Sequence, residues 1–414
     1  MNDSATVLSN SSAIVVAAIV MAALAMRRIR TAELWRATVT PLASIIGSGF
    51  LIVAPLLHAV TGRWSLAVIF VLSLFSYAIG SVLRYNIAVA EPWAENHTSD
   101  FVRRLEVLAQ LVLGMAYAIS VAFYISLFVA FLSERISFTP LPAPQVTTTI
   151  VLFGIGIIAW KRGTRGLETI ELTAVTVKLA IIGGVLFALA LYDVQTGMEW
   201  FAHSRTTELS ALDTMAVLAG MLMVTQGFET TRFTGQHYGP RVRIRAARNA
   251  QLIAIVIYVV FIGLTCPIFL EFPIIELTET TISKTLGQAV FVLPVLLFVA
   301  ATASQLSAAL ADTIGGGGLL AEVSPVHLDE RYVYALLVGS AILIVWNTDV
   351  FGIINLASKG FALFYLLQVL IAARLLLAHR DPRGMRTVLG LAGCGLIGGA
   401  LLFIVLFSSP APHA

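Results

Sequence analysis

Apolar residues in this chain come in runs long enough to cross a bilayer, separated by short polar connections. With about 20 apolar residues needed per crossing, the pattern predicts helices near 10–26, 34–60, 64–90, 102–133, 146–160, 171–192, 211–235, 249–270, 286–314, 332–348, 351–376 and 387–408. The first is the weakest of the twelve, because its fully apolar part, 13–26, is short and its outer end is rich in Ser and Asn. Runs recur almost to the last position, which leaves no room for a separate soluble domain. The expected fold class is an all-α polytopic membrane protein.

Composition agrees with the pattern. Of 414 residues, 58% are hydrophobic and 12% charged, the latter about half the share of an ordinary soluble domain. The net charge of +3 reflects loop arginines and gives no reason to expect a nucleic-acid partner. Cys266 and Cys394 lie in separate apolar runs and form neither a disulfide nor a metal pattern. Residues 1–12 contain Asp3 and no basic residue, unlike the positive start of a signal peptide, so the first run is read as retained.

Basic residues set the expected orientation. Arg27, Arg28, Arg30 and Arg36 follow the first span, Arg84, Arg103 and Arg104 the third, and Lys161, Arg162 and Arg165 the fifth. The next alternate connections hold Arg232, Arg241, Arg243, Arg245 and Arg248, then Arg331, then Arg374, Arg380, Arg383 and Arg386. Opposite them stand only Arg63, Arg135, Arg205 and Lys284. Cytoplasmic connections carry the excess of Lys and Arg, so the first set is expected in the cytoplasm and both termini outside. Anchoring accounts for nearly all of these arginines, and none is assigned a ligand. Lys178 and Lys359 stand apart, inside apolar runs.

Two spans carry internal flaws. "PLASIIGSGFLIVAPLL" has Gly47-Ser48-Gly49 in its middle, where each glycine costs roughly 1 kcal/mol relative to alanine. Unwound backbone is tolerated in a membrane only inside protein or beside a wet cavity. The triplet is therefore either a tight helix contact or a place where something polar binds. The run from Ala211 meets Gln226, Gly227, Phe228 and Glu229 before it reaches basic residues, and a carboxylate at that depth costs at least about 3 kcal/mol unless paired, protonated or hydrated.

Omitting the first span, each flawed helix opens a group of five. Five is odd, so the groups enter the membrane from opposite sides. Inverted repeats that each begin with an interrupted helix point to a transporter with a midplane site. Breaking a helix frees N–H groups on one half and C=O groups on the other. A zwitterionic amino acid matches both ends, which favours the binding reading of the triplet over packing.

The residues also resemble the amino acid-polyamine-organocation (APC) superfamily of permeases. "LWRATVTPLASIIGSGFLIVAPLL" is similar to its first core helix, and "GFETTRF" followed by Gly239-Pro240-Arg241 to its sixth. "WKRGTRGLETIELTAVTVKLAIIGG" is similar to the fourth-to-fifth helix region, with its lysine. The likeness covers about 34–380 and implies a LeuT-like inverted five-plus-five fold with broken first and sixth core helices. It divides the chain into an extra helix and basic loop (1–33), a transport core (34–380), and a final helix with a tail (381–414). Three features depart from the family. "ADTIGGGGLLAE" replaces the usual basic signature, the extra helix precedes the core, and Met221 and Met223 stand where some members place an aromatic gate.

Candidate site residues follow from the two flaws and the resemblance. Ile46, Gly47, Ser48, Gly49, Gln226, Gly227, Phe228 and Glu229 are expected to bind substrate, together with Tyr117, which shares a helix face with Tyr124. Lys178 lies near the cytoplasmic end of its span and would either snorkel or, if buried in apolar surroundings, exchange protons. In similar permeases a fifth-helix lysine stands where sodium sits in sodium-coupled relatives, which implies proton coupling through Lys178. Glu229 is the second coupling candidate; it either holds the break open or pairs with Lys359. Ser304 and Ser307, near Gln305 and Asp312, are candidate polar partners.

These residues favour a secondary transporter of amino acids or related amines that is coupled to protons and works by alternating access in the plasma (inner) membrane. An exchanger, or an ion or metal carrier on the same fold, is the alternative. Metal carriage favours Asp, Asn, Met or Cys at the breaks, and the first break offers only Gly and Ser. An enzyme lacks a catalytic set, since six of the seven histidines fall in connections, helix ends or tails and His58 stands alone. No cofactor is expected: Gly315 to Gly318 lacks the Lys-Ser/Thr and the strand of a phosphate loop.

Overall fold

The computed structural model describes residues 3–96, 101–135, 143–162, 167–197, 209–235, 237–274, 276–323, 330–379 and 384–411. The apolar runs become helices, because a backbone in hydrocarbon must satisfy its own hydrogen bonds, except that the run from Ala211 is α-helical only as far as Ala219. A peripheral helix, α1 (Asp3–Ala25), and a basic turn, α2 (Arg27–Arg30), precede α3 (Glu33–Thr61), α4 (Ser65–Asn96), α5 (Phe101–Arg135), α6 (Pro144–Arg162) and α7 (Leu167–Thr196). Next come α8 (Ala211–Ala219), two 3-10 turns, α9 (Pro240–Glu271), a short α10 (Thr281–Ala289), α11 (Leu293–Val323), α12 (Glu330–Asn347), α13 (Val350–His379) and α14 (Met385–Phe407). Eight helical runs among the described residues are long and apolar enough to cross a membrane, the first joining α3 to α4, and α1 and α12 contain shorter apolar stretches.

In the bundle α5 packs on α11 and α13, α9 on α3 and α4, and α6 on α12. α3 lies against the 3-10 turns that follow α8. The weakest expected span, α1, is a full helix seated on α7, where Ala13, Ala17 and Val20 meet Gly183 and Gly184. Small residues let the two backbones approach closely. α10 has no counterpart among the expected spans, because nine residues with a polar face cannot cross a bilayer.

The two flawed helices behave differently. After α8 the chain turns at Leu222–Thr225, extends at Gln226 (φ −84°, ψ 171°), and passes through Gly227 at φ +128° before the turn Phe228–Arg232. This is the break expected from the Gln-Gly-Phe-Glu sequence. The first helix, by contrast, is not broken: α3 runs as a continuous α-helix through Gly47-Ser48-Gly49. Its neighbours supply the reason. A Cβ on Gly49 would stand 2.7 Å from Val224 of the first turn, so the glycine lets the interrupted segment lie flush on the helix. Around the triplet, three α3 carbonyls gain side-chain donors: Ala43 from Lys178 (3.0 Å), Ile45 from Tyr258 (2.9 Å) and Gly47 from Gln305 (3.0 Å). Donors that would steady unwound backbone reach carbonyls of an intact helix instead.

Candidate substrate site

A cavity of about 190 Å³ lies beside the break, lined from α3 by Thr40, Ala43 and Ser44, from α5 by Tyr117, and from α7 by Ala174, Val175 and Lys178. Thr230, Phe233 and Thr234 close it from the interrupted segment, and Ser304, Ser307, Ala308, Ala311, Asp312 and Gly315 from α11. Such a volume holds several water molecules. Lining residues lie near the ends of α3, α7 and α11 that adjoin the arginine-bearing connections, so the cavity belongs to that side of the molecule. On the opposite side the interrupted segment is pinned. Ser358 donates to the Gly220 carbonyl (2.7 Å) and accepts from the Met223 N–H (2.9 Å), and Ser76 donates to the Thr225 carbonyl (2.8 Å).

Lys178 is 5% exposed and points inward to α3, so it does not snorkel. Its Nζ lies 3.5 Å from where a Gly47 Cβ would be, and the Ser304 hydroxyl 3.6 Å from the same point. Asp312, equally buried, brings a carboxylate to the same cavity. One cationic and one anionic side chain, four or more hydroxyls and small apolar walls make a chamber suited to a small molecule carrying both charges. Among the described residues no group of three or more His, Cys, Asp or Glu could hold a metal ion.

Glu229 is fully buried behind the cavity wall. Its Oε2 accepts from the Gly227 N–H (2.8 Å) and the Tyr365 hydroxyl (2.7 Å), and Phe228 stacks on the Tyr365 ring with centroids 5.3 Å apart. That arrangement holds the break. Among the described residues Lys359 makes no ion pair with Glu229, whose Oε2 is met from α13 by the Tyr365 hydroxyl. Both amide atoms of Gln226, Glu229 Oε1 and the Ser304 hydroxyl have no hydrogen-bond partner among the described residues. Buried polar atoms are nearly always paired, which marks these as groups available to a ligand or water.

Tyr117, Lys178, Ser304 and Ser307 therefore share one cavity. Gly47 sits at its edge, while Gln226, Gly227 and Glu229 form the adjoining break. Ile46 and Phe228 are packed in the core, and Gly49 lies against the Val224 side chain. The side chain of Ser48 lies outside the described residues.

With this geometry in place, comparison with known proteins decides the family. A family model described as an APC superfamily transporter matches residues 27–408. The chain belongs to that family. An uncharacterised protein from Aquifex aeolicus (strain VF5) is 37% identical over 379 residues, covering 91% of each chain. Solved structures of a manganese transporter from Eremococcus coleocola share the fold. Two of its mutants align with a TM-score of 0.59 at 13% identity, over 90% of this chain and 86% of theirs. A complex of that transporter with an aromatic bis-isothiourea substituted compound gives 0.57 at 13% identity, over 92% and 87%. The APC protein described here is thus an integral, multi-pass membrane transporter.

Sequence reasoning noted Asp312 and Gln305 only as a polar patch and missed Ser44, Thr230, Thr234 and Tyr365. Serine and threonine are common in membrane helices, so those positions carry no signal until the helices are packed. Two arginines read as loop anchors prove to be buried partners: Arg232 lies 3.1 Å from Glu106, and Arg243 2.5 Å from Glu91. Charge alternation bears on which side of the membrane a connection faces, not on which of its charges turn inward.

Proposed function

We propose that this transporter carries amino acids or related amines by alternating access as a secondary active, proton-coupled system in the plasma (inner) membrane. The observation that supports the reading most is the presence of Lys178 and Asp312 in one hydroxyl-lined cavity beside the interrupted helix. A zwitterion can place its carboxylate toward the ammonium and its amino group toward the carboxylate, with Ser304, Ser307 and Tyr117 as neutral partners. Lys178 is the proposed proton carrier because it contacts α3 through the Ala43 carbonyl, so a change in its charge is felt where α3 faces the cavity. Glu229 is a second candidate for proton coupling, and its contacts favour a structural part in holding the break.

Metal carriage is the rival, given the fold shared with a manganese transporter. At 13% identity that likeness concerns the fold only. Met221 and Met223 are buried, and neither is among the residues lining the cavity. A thermal-shift panel on the purified protein separates the readings, since a ligand that binds only the folded state raises its apparent stability. At least one amino acid or amine is expected to raise the melting temperature, and manganese to leave it unchanged. Stabilisation by manganese, with no response to any amino acid or amine, would overturn the reading.

Orientation is tested independently. With the basic connections in the cytoplasm, a tag after Ala414 is expected to be accessible to antibody on intact cells, and one inserted in the 380–383 connection only after permeabilisation. With that orientation the cavity lies in the cytoplasmic half of the molecule. A C-terminal tag visible only after permeabilisation would reverse the assignment.

A further inference from the structure

The interrupted segment is held differently on its two sides. Toward α8 its contacts are neutral hydrogen bonds with Ser358 and Ser76. Toward α9 it enters a cluster of four charges. Thr230, Phe233 and Thr234 face the cavity, whereas Arg232, between them, points the other way. Arg232 Nη2 lies 3.1 Å from Glu106 Oε2 on α5, its Nε 3.6 Å from Glu91 Oε1 on α4, and its Nη1 donates to Gln368 Oε1 on α13. Gln368 is itself fixed by Asn86 of α4, whose Nδ2 donates to both its Oε1 and its carbonyl at 2.9 Å. Arg243, at the start of α9, grips both Glu91 oxygens (3.0 and 2.5 Å) and donates to the Arg232 carbonyl (3.2 Å). Two arginines thus face two glutamates, with both arginines and Glu106 at most 10% exposed at the side chain.

We propose that Arg232 is a positioning residue: anchored by Glu106, Glu91 and Gln368 from three helices, it sets where the cavity-facing turn stands and so holds the cavity open on the side of the basic connections. A buried charge that loses its partner is strongly disfavoured, so the turn cannot leave this position without moving Arg232 to an equivalent set of acceptors or breaking the cluster. The neutral contacts on the other side impose no such requirement. Transport that closes this side must therefore work against the ion cluster, and weakening the cluster shifts the population away from the open form. The inference concerns the shape of the cavity and is independent of what the cavity carries.

Thiol labelling tests it. Ala311 lines the cavity, and Cys266 and Cys394 are buried. In a chain carrying Cys266→Ala, Cys394→Ala and Ala311→Cys, a charged, membrane-impermeant maleimide added from the side of the basic connections is expected to label the reporter. Arg232→Gln should slow labelling from that side by at least about fivefold, a population shift in the sense of two-state arithmetic. Arg232→Lys, which keeps the charge, should lie between the two. A merely structural role predicts a lower melting temperature with the labelling rate unchanged, and that result overturns the proposal. Should Arg232→Gln fail to fold, Glu106→Gln decides by the same measure: slower labelling supports the positioning role, and a rate equal to the parent's refutes it.

Discussion

Gly227→Ala is expected to abolish transport and to reduce sharply the yield of monodisperse protein. Two independent costs meet at this residue. Its φ of +128° lies where only glycine is comfortable, and a Cβ there would stand 2.5 Å from the Ile45 nitrogen and 2.8 Å from the Ser44 carbonyl carbon. Both are backbone atoms of α3 and cannot swing aside as a side-chain tip can. Strained backbone costs about 1–3 kcal/mol and overpacking about the same, so the pair reaches on the order of 4 kcal/mol, enough to unseat the break from α3. Gly49→Ala meets first the Val224 side chain, not backbone, and should do less harm. Gly154→Ala, with nothing within 4 Å of the added carbon, should be neutral or slightly stabilising. Size-exclusion profiles and melting temperatures of the three variants check the order. Wild-type behaviour of Gly227→Ala would mean that the interrupted segment does not bear on α3 as described.

Lys178→Gln carries the second large effect. Glutamine keeps a donor for the Ala43 carbonyl but cannot take up or release a proton near neutral pH. In proteoliposomes, uptake is expected to lose its response to an inward proton gradient and to fall at least about tenfold, while substrate binding weakens by about tenfold because the substrate carboxylate meets a neutral amide in place of the ammonium. If Lys178 serves as a fixed charge instead, Lys178→Arg keeps activity and the wild type ignores the gradient. Proton coupling through Lys178 is abandoned if the Gln variant still concentrates substrate in response to that gradient.

Much of the architecture can be read from the chain because a bilayer acts on each segment separately. An apolar run of sufficient length must become a helix wherever it sits, and the twelve expected spans correspond to α1, α3 to α7, the α8 segment, α9 and α11 to α14. The second break was legible for a similar reason. A glycine between Gln226 and Glu229 removes local support for a helix at a depth where polar side chains need partners. Gly47-Ser48-Gly49 carries the same local signal yet stays helical, against the expected break, since glycine serves close packing as readily as bending and the neighbour decides between them. Here the neighbour is Val224, from a segment far along the chain.

From the chain alone follow a helical membrane protein, the place of one helix break, and a lysine out of keeping with its apolar run. Packing of the helices puts Lys178, Asp312 and Ser304 in one cavity, sets Tyr365 rather than Lys359 against Glu229, and turns Arg232 and Arg243 inward to Glu91 and Glu106. Hydrophobic periodicity records how each segment meets lipid. Which polar side chains meet one another depends on the rotation and depth of several helices at once, and no local pattern encodes that.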